Sequence, residues 1–104
     1  MNNEREYEMM VLLRPEYEED GYEEKKERIT SIIENEGGEV KNVEKWGKRK
    51  LAYKINDVEE GLYALFTFKS DPESINGVEE RANVEEGVLR YQAIAKEKVG
   101  AEAE

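Results

Sequence analysis

Lys41, Lys45, Lys48, Arg49 and Lys50 place five cations within ten residues, around Trp46 and Gly47, in a chain whose total charge is strongly negative. Cations spaced along a strand beside an aromatic can neutralise successive phosphates while the aromatic stacks or packs. The same residues also describe a solvated strand edge, with lysines blocking sheet-to-sheet pairing and Trp46 half covering a core. Spacing alone leaves both readings open. Arg90 is a second basic candidate, on the face of its strand opposite Leu89 and Tyr91. A surface ion pair with Glu85 or Glu86 is its plainer explanation. Arg5 precedes the first strand, close to a terminus, where order depends on being held by something else.

The sequence contains no His and no Cys. That excludes Ser-His-Asp and Cys-His nucleophilic systems, thiolate or imidazole metal sites, redox pairs and disulfides. Carboxylates are abundant, and Glu16, Glu18, Glu19 and Asp20 lie near one another. General acid-base work needs such groups to converge in a cleft that separates their pKa values, whereas Glu18 and Glu19 are merely adjacent. The positive end of a helix macrodipole explains them better. Gly37 and Gly38 lack a following GK[ST] or GxGxxG pattern, so they read as turn residues and not as a phosphate cradle. No cofactor, metal or small-molecule substrate is expected, and enzymatic chemistry is left with carboxylates, Lys and Tyr alone.

These residues must be positioned by a small protein: 104 residues imply one compact domain that buries roughly 60 to 68% of its unfolded surface. Lys and Arg number 16 against 26 Asp and Glu, a formal charge of -10. Charged residues make up 40% and apolar ones 38%, close to the regime of disorder, so the order of residues decides. The longest apolar run, Met9 to Leu13, is far short of the ~20 residues that cross a bilayer. Glu4, Glu6 and Glu8 stand where a secretory signal would be basic and then apolar, and a soluble cytosolic protein is expected. The negative total opposes indiscriminate binding to nucleic acid or anionic lipid, but not a local basic patch.

Alternation predicts a first strand over Glu6 to Leu13, with Tyr7, Met9, Val11 and Leu13 on one face and Glu8, Met10 and Leu12 on the other. Pro15 ends it. Glu18 to Glu36 reads as a helix with Tyr22, Ile29, Ile32 and Ile33 on one side, closed by Gly37 and Gly38. Glu39 to Ile55 returns to period two, with irregularity near Trp46, and Leu62 to Lys69 alternates as its hairpin partner. Asn56 to Gly61 is expected to form a longer, acidic, mobile loop between them. Asp71 before Pro72 and Glu73 predicts a capped helix start, and Ile75, Val78, Ala82 and Val84 offer that helix a face. Asn76-Gly77 is equally a hairpin signal. Val88 to Lys96 alternates again, residues 1–99 form the domain, and 100–104 are expected to be a frayed acidic tail.

Strand, helix, strand, strand, helix, strand is the split βαβ plan. Right-handed crossovers put both helices on one face of a four-stranded antiparallel sheet, with the first and third strands central. Met10, Leu12, Tyr63, Leu65 and Ile94, interrupted by Glu8, Thr67, Arg90 and Gln92, then lie on the open face. Such a mixed face is either ordinary surface or a docking patch for a protein or single-stranded RNA.

Several of these segments together resemble one family. Tyr7-Glu8, Arg14-Pro15, the helix ending ENEGGEV, the segment VEKWGKRKLAYKI, Gly61 before an aromatic strand, and VLRY at 88 to 91 are similar in order and spacing to bacterial-type protein six of the small ribosomal subunit. The likeness extends over about residues 5 to 97, and WGKRKLAYKI is its most specific part. It implies a ferredoxin-like α+β fold and a non-catalytic component of the small ribosomal subunit. It further implies binding to the central domain of small-subunit ribosomal RNA together with small-subunit protein eighteen, on the platform of the particle. Members are often acidic, so a charge of -10 fits.

Carried onto this chain, the resemblance points to Arg5, Trp46, Lys48, Arg49, Lys50 and Arg90 as RNA-facing. Lys and Arg would neutralise phosphates, and Trp46 would fix the strand edge. For protein eighteen it points to Met10, Leu12, Leu65, Gln92 and Ile94, with an acidic rim suited to a basic partner. Lys25 and Lys26 stand where family members carry more apolar residues, and Ala82, Val84 and Gly77 depart from the second helix. Each missing large apolar group removes about 1.5 to 3 kcal/mol of burial, which predicts a thin helix layer completed by the partners. A free-standing ferredoxin-like regulator or ligand-binding homodimer is the competing reading, because fold alone does not decide function.

Overall fold

The computed structural model describes residues 4–17 and 20–96. Glu18, Glu19 and everything from residue 97, including the expected domain boundary and acidic tail, lie outside the described residues.

Strand β1, Arg5–Leu13, alternates as its sequence requires: Tyr7, Met9, Val11 and Leu13 are buried toward the helices. Pro15 opens a 3-10 turn, Pro15–Tyr17, and helix α1 then runs Asp20–Asn35, burying Tyr22, Ile29, Ile32 and Ile33. Strand β2 is Glu39–Ile55, with the expected bounds, and β3 is Val58–Ser70. Helix α2, Ile75–Asn83, follows a 3-10 turn at Pro72–Ser74 and fully buries Val78 and Ala82. The helical reading of Asn76-Gly77 is therefore the correct one. Strand β4 is Val88–Ala95.

All strand pairs are antiparallel in the order β2-β3-β1-β4, so β1 and β3 are central. Both helices contribute to a single core with Met9, Phe66 and Phe68 at its centre, where Tyr7 stacks on Phe68 at 5.8 Å. Burying rings of this size is the main source of cohesion in so small a domain.

Four local expectations are corrected. The β2–β3 connection is a two-residue turn, not a six-residue loop: Ile55 pairs with Val58, and Asn56 and Asp57 take φ of 50° and 66°. Asn and Asp tolerate this left-handed conformation, which twists with the strands. The Asp71 side chain makes no capping bond; its carbonyl accepts the Ser74 N–H at 3.0 Å instead. Val84 is 79% exposed just past α2 and adds nothing to that helix's buried face. At Lys25, read as a missing apolar group, the chain has an ion pair instead of an open gap: its Nζ donates to Glu85 Oε2 at 2.9 Å and lies 5.1 Å from the Tyr17 ring. Arg28 reaches the same carboxylate at 3.1 Å, so α1 is tied to the segment between α2 and β4.

Candidate nucleic-acid and protein interface

The basic segment lies on β2, an edge strand whose ladder with β3 is interrupted three times. Lys41 and Trp46 are each an extra residue in the pairing, and four residues, Leu51 to Lys54, oppose Glu59 alone. Bulges of this kind bend an edge strand and re-aim its side chains. At the second bulge Gly47 takes φ +88°, a conformation that residues with a Cβ rarely adopt. Its N–H donates to the Tyr22 hydroxyl at 3.0 Å, and that hydroxyl donates in turn to the Tyr63 carbonyl.

Trp46 turns outward and is 42% exposed, so it does not cover the core. Its indole N–H donates to Glu44 Oε1 at 3.1 Å, while the Arg49 guanidinium lies 5.9 Å from the ring and donates to the Trp46 carbonyl at 3.2 Å. Lys48, Arg49 and Lys50 are exposed immediately beyond the bulge. Lys41 and Lys45 are engaged within the fold, with Glu39 at 3.5 Å and Glu23 at 2.6 Å. Hydrogen bonds from Lys45 and then Lys26 hold the Glu23 carboxyl below its ordinary pKa.

Register brings Arg90 to the same cross-sheet row as this bulge: Arg90 faces Leu12, Leu12 faces Tyr63, and Tyr63 faces Gly47. Three strand spacings separate the ends of that row, roughly 14 Å. Arg90 does not pair with Glu85 or Glu86; it stacks on Tyr53, donating to its hydroxyl at 3.1 Å. Arg5 is not brought to this cluster. It faces Ser70 at the opposite end of β1, eight residues of β3 from Leu62, which is roughly 27 Å along the strand.

On the open face, Met10 lies between Leu65 and Gln92, and Glu8 lies between Thr67 and Ile94, as alternation requires. Ile94 is 55% exposed and Gln92 is exposed, whereas Met10 and Leu65 are partly covered. Leu12 departs from the expectation of an open docking residue, being only 3% exposed. The long bulge carries Leu51, Ala52 and Tyr53 over this face and, with Ile55 just beyond it, leaves a groove of about 640 Å³ with Leu12, Met10, Tyr63, Arg90 and Gln92 in its walls. Gly61 lies against Leu12 so closely that a Cβ there would be 2.4 Å from Leu12 Cδ1. The roofing residues and the Tyr22 bridge are not readable in the sequence, because alternation continues unbroken through Leu51, Tyr53 and Ile55.

Among the described residues, no group of three or more carboxylates is arranged to hold a metal ion, and no helix is long and apolar enough to cross a membrane. Glu16 is paired with Arg14 at 2.9 Å, which lowers its pKa through that hydrogen bond.

The family model for ribosomal protein S6 matches residues 6–95. The small ribosomal subunit protein bS6 of Clostridium novyi is 42% identical over 94 residues, covering 90% of this chain and 99% of that protein. The crystal structure of 30S ribosomal protein S6 from Thermotoga maritima superposes with a TM-score of 0.83 at 33% identity, over 89% of this chain and 88% of that one. The C-terminal domain of the MgtC protein from Mycobacterium tuberculosis shares the fold alone, at 13% identity and a TM-score of 0.63 over 98% of both chains. Length, order and fold agree along nearly the whole molecule, and the chain belongs to the ribosomal protein S6 family, whose members are structural ribosomal proteins without catalytic activity.

Proposed function

We propose that the chain is a structural component of the small ribosomal subunit that binds central-domain ribosomal RNA together with small-subunit protein eighteen. The observation that carries this reading is the bulged edge of β2, where Lys48, Arg49 and Lys50 are exposed beside an outward Trp46 in a protein of charge -10. Cations so concentrated meet phosphates, while the acidic remainder repels RNA from other approaches. Arg90, on the same row, extends the basic surface across the open face, and Arg5 serves a separate contact at the far end of β1. Met10, Leu65, Gln92 and Ile94 mark the side offered to protein eighteen, and Leu12 lies buried beneath it as support.

The test is binding of the full chain to a central-domain RNA fragment across a salt series, with and without protein eighteen. Replacing Lys48, Arg49 and Lys50 by Glu weakens binding and lowers the salt slope by up to about three, near one for each phosphate that is no longer neutralised. An unchanged slope refutes the phosphate role. A failure to co-elute with protein eighteen in size-exclusion chromatography, with a persistent homodimer instead, refutes the partner assignment.

A further inference from the structure

The Tyr22 hydroxyl occupies an unusual place: it bridges two backbone groups of residues that are register partners. Gly47 faces Tyr63 in the β2–β3 ladder, the Gly47 N–H donates to the Tyr22 oxygen, and that hydroxyl donates to the Tyr63 carbonyl. A phenol oxygen between the two strands holds them apart at the row where Trp46 is the extra residue. Gly47 at φ +88° then turns the chain so that Trp46 faces outward and Arg49 folds back onto it. Two more contacts fasten the same spot to the first turns of α1. Lys45 is paired with Glu23 at 2.6 Å, and its Nζ lies 5.3 Å from the Tyr22 ring. Tyr22 is 8% exposed, so water does not readily replace its hydroxyl.

From this we infer that Tyr22 is a positioning residue for the RNA-facing edge: through Gly47 it sets the direction in which Trp46, Lys48, Arg49 and Lys50 leave the sheet. Without the hydroxyl, the Gly47 N–H loses its acceptor, and the nearest repair is a direct ladder bond to the Tyr63 carbonyl. That repair draws the strands together, takes up the bulge and rotates the basic segment. The phenyl ring meanwhile keeps its place in the core. This inference rests on the assignment of Lys48, Arg49 and Lys50 to RNA phosphates.

A double-mutant cycle tests it, using the full chain with protein eighteen and the central-domain RNA fragment at a temperature well below every variant's unfolding midpoint. The arms are Y22F, the charge reversal K48E/R49E/K50E, and both together. Y22F is expected to weaken RNA binding about threefold to tenfold in the native background. It is expected to change affinity little in the charge-reversed background, where the cations it positions are gone. Faster hydrogen exchange of the Gly47 amide in Y22F, with binding to protein eighteen unchanged, is the accompanying signature. Equal losses from Y22F in both backgrounds, or none in either, overturn the positioning role while leaving the phosphate assignment intact. A charge reversal without effect removes that assignment, and Tyr22 then has no RNA-facing edge to position.

Discussion

Tyr53 and Arg90 belong to the two outermost strands, β2 and β4, yet they touch: the Arg90 guanidinium lies 5.8 Å from the Tyr53 ring and donates to its hydroxyl at 3.1 Å. The long bulge makes this possible, because four residues opposing one on β3 give β2 enough chain to cross the open face. The contact closes a roof over Leu12 and walls the groove with a cation and an aromatic. Arg90 therefore stands between the surface proposed for RNA and the surface proposed for a protein.

Arg90→Ala and Tyr53→Ala should each destabilise the free domain by only about 0.5–1 kcal/mol, the range of an exposed cation–π contact. Because they remove one shared interaction, the double variant should be destabilised no more than the worse of the two single variants. Urea denaturation of the three variants measures this. Additive effects would mean that the two residues do not hold each other in solution.

Leu12 and Ile94 lie on the same face of the sheet but should fail in opposite ways. Leu12 is 3% exposed, so Leu12→Ala removes buried volume and should cost about 2–4 kcal/mol of stability. Ile94 is 55% exposed, and Ile94→Glu should leave the unfolding midpoint nearly unchanged while weakening association with protein eighteen. Thermal melts and size-exclusion chromatography separate the two outcomes. A folded Ile94→Glu variant that still binds protein eighteen normally would remove this position from the interface.

The sheet is legible in the sequence because β1 and β3 each bury one face fully and cover the other less, and β4 alternates between half-buried and exposed, so Tyr7, Met9, Phe66 and Phe68 declare their direction by alternation alone. What escapes reading depends on partners distant in the chain. Lys25 reads as missing burial, since nothing near it in sequence announces Glu85, 60 positions away. The open face reads flatter than it is, because the long bulge, unlike the irregularity near Trp46, is a mismatch between two strands that leaves the alternation of β2 unbroken. Gly61 misleads in the same way. It suggests a loop residue, whereas it is a strand residue kept small by Leu12 on a neighbouring strand. The basic cluster is visible as composition, but that Lys41 reaches Glu39, Lys45 reaches Glu23 on α1, and Arg49 folds back onto Trp46 requires the fold.

The turn between β2 and β3 offers a test with opposite signs at neighbouring positions. Asn56 and Asp57 both have positive φ, which costs a residue with an ordinary side chain about 1–2 kcal/mol and glycine almost nothing. Asn56→Ala should therefore destabilise by about 1 kcal/mol, and Asp57→Gly should be neutral or stabilising. Chemical denaturation measures both. A flexible six-residue loop would be indifferent to either change.

Glu85 should make the domain's stability depend on acid. Burial pushes its carboxyl up, but the hydrogen bonds from Arg28 and Lys25 together with their positive charges outweigh burial and hold it below the ordinary range. Its folded pKa thus lies under the unfolded value of about 4.3, so its contribution is complete above that value and disappears as pH falls through the lowered folded one. Replacing it by Gln leaves the Lys25 ammonium, 12% exposed, facing a neutral amide, a loss of about 1–3 kcal/mol at pH 7. Urea unfolding of the native chain and Glu85→Gln between pH 7 and pH 3 should show a gap that is constant down to about pH 5 and then narrows, because protonation removes from the native protein what the substitution has already removed. A gap that persists unchanged at pH 3 would show that the carboxylate's charge is not what ties α1 to the segment between α2 and β4.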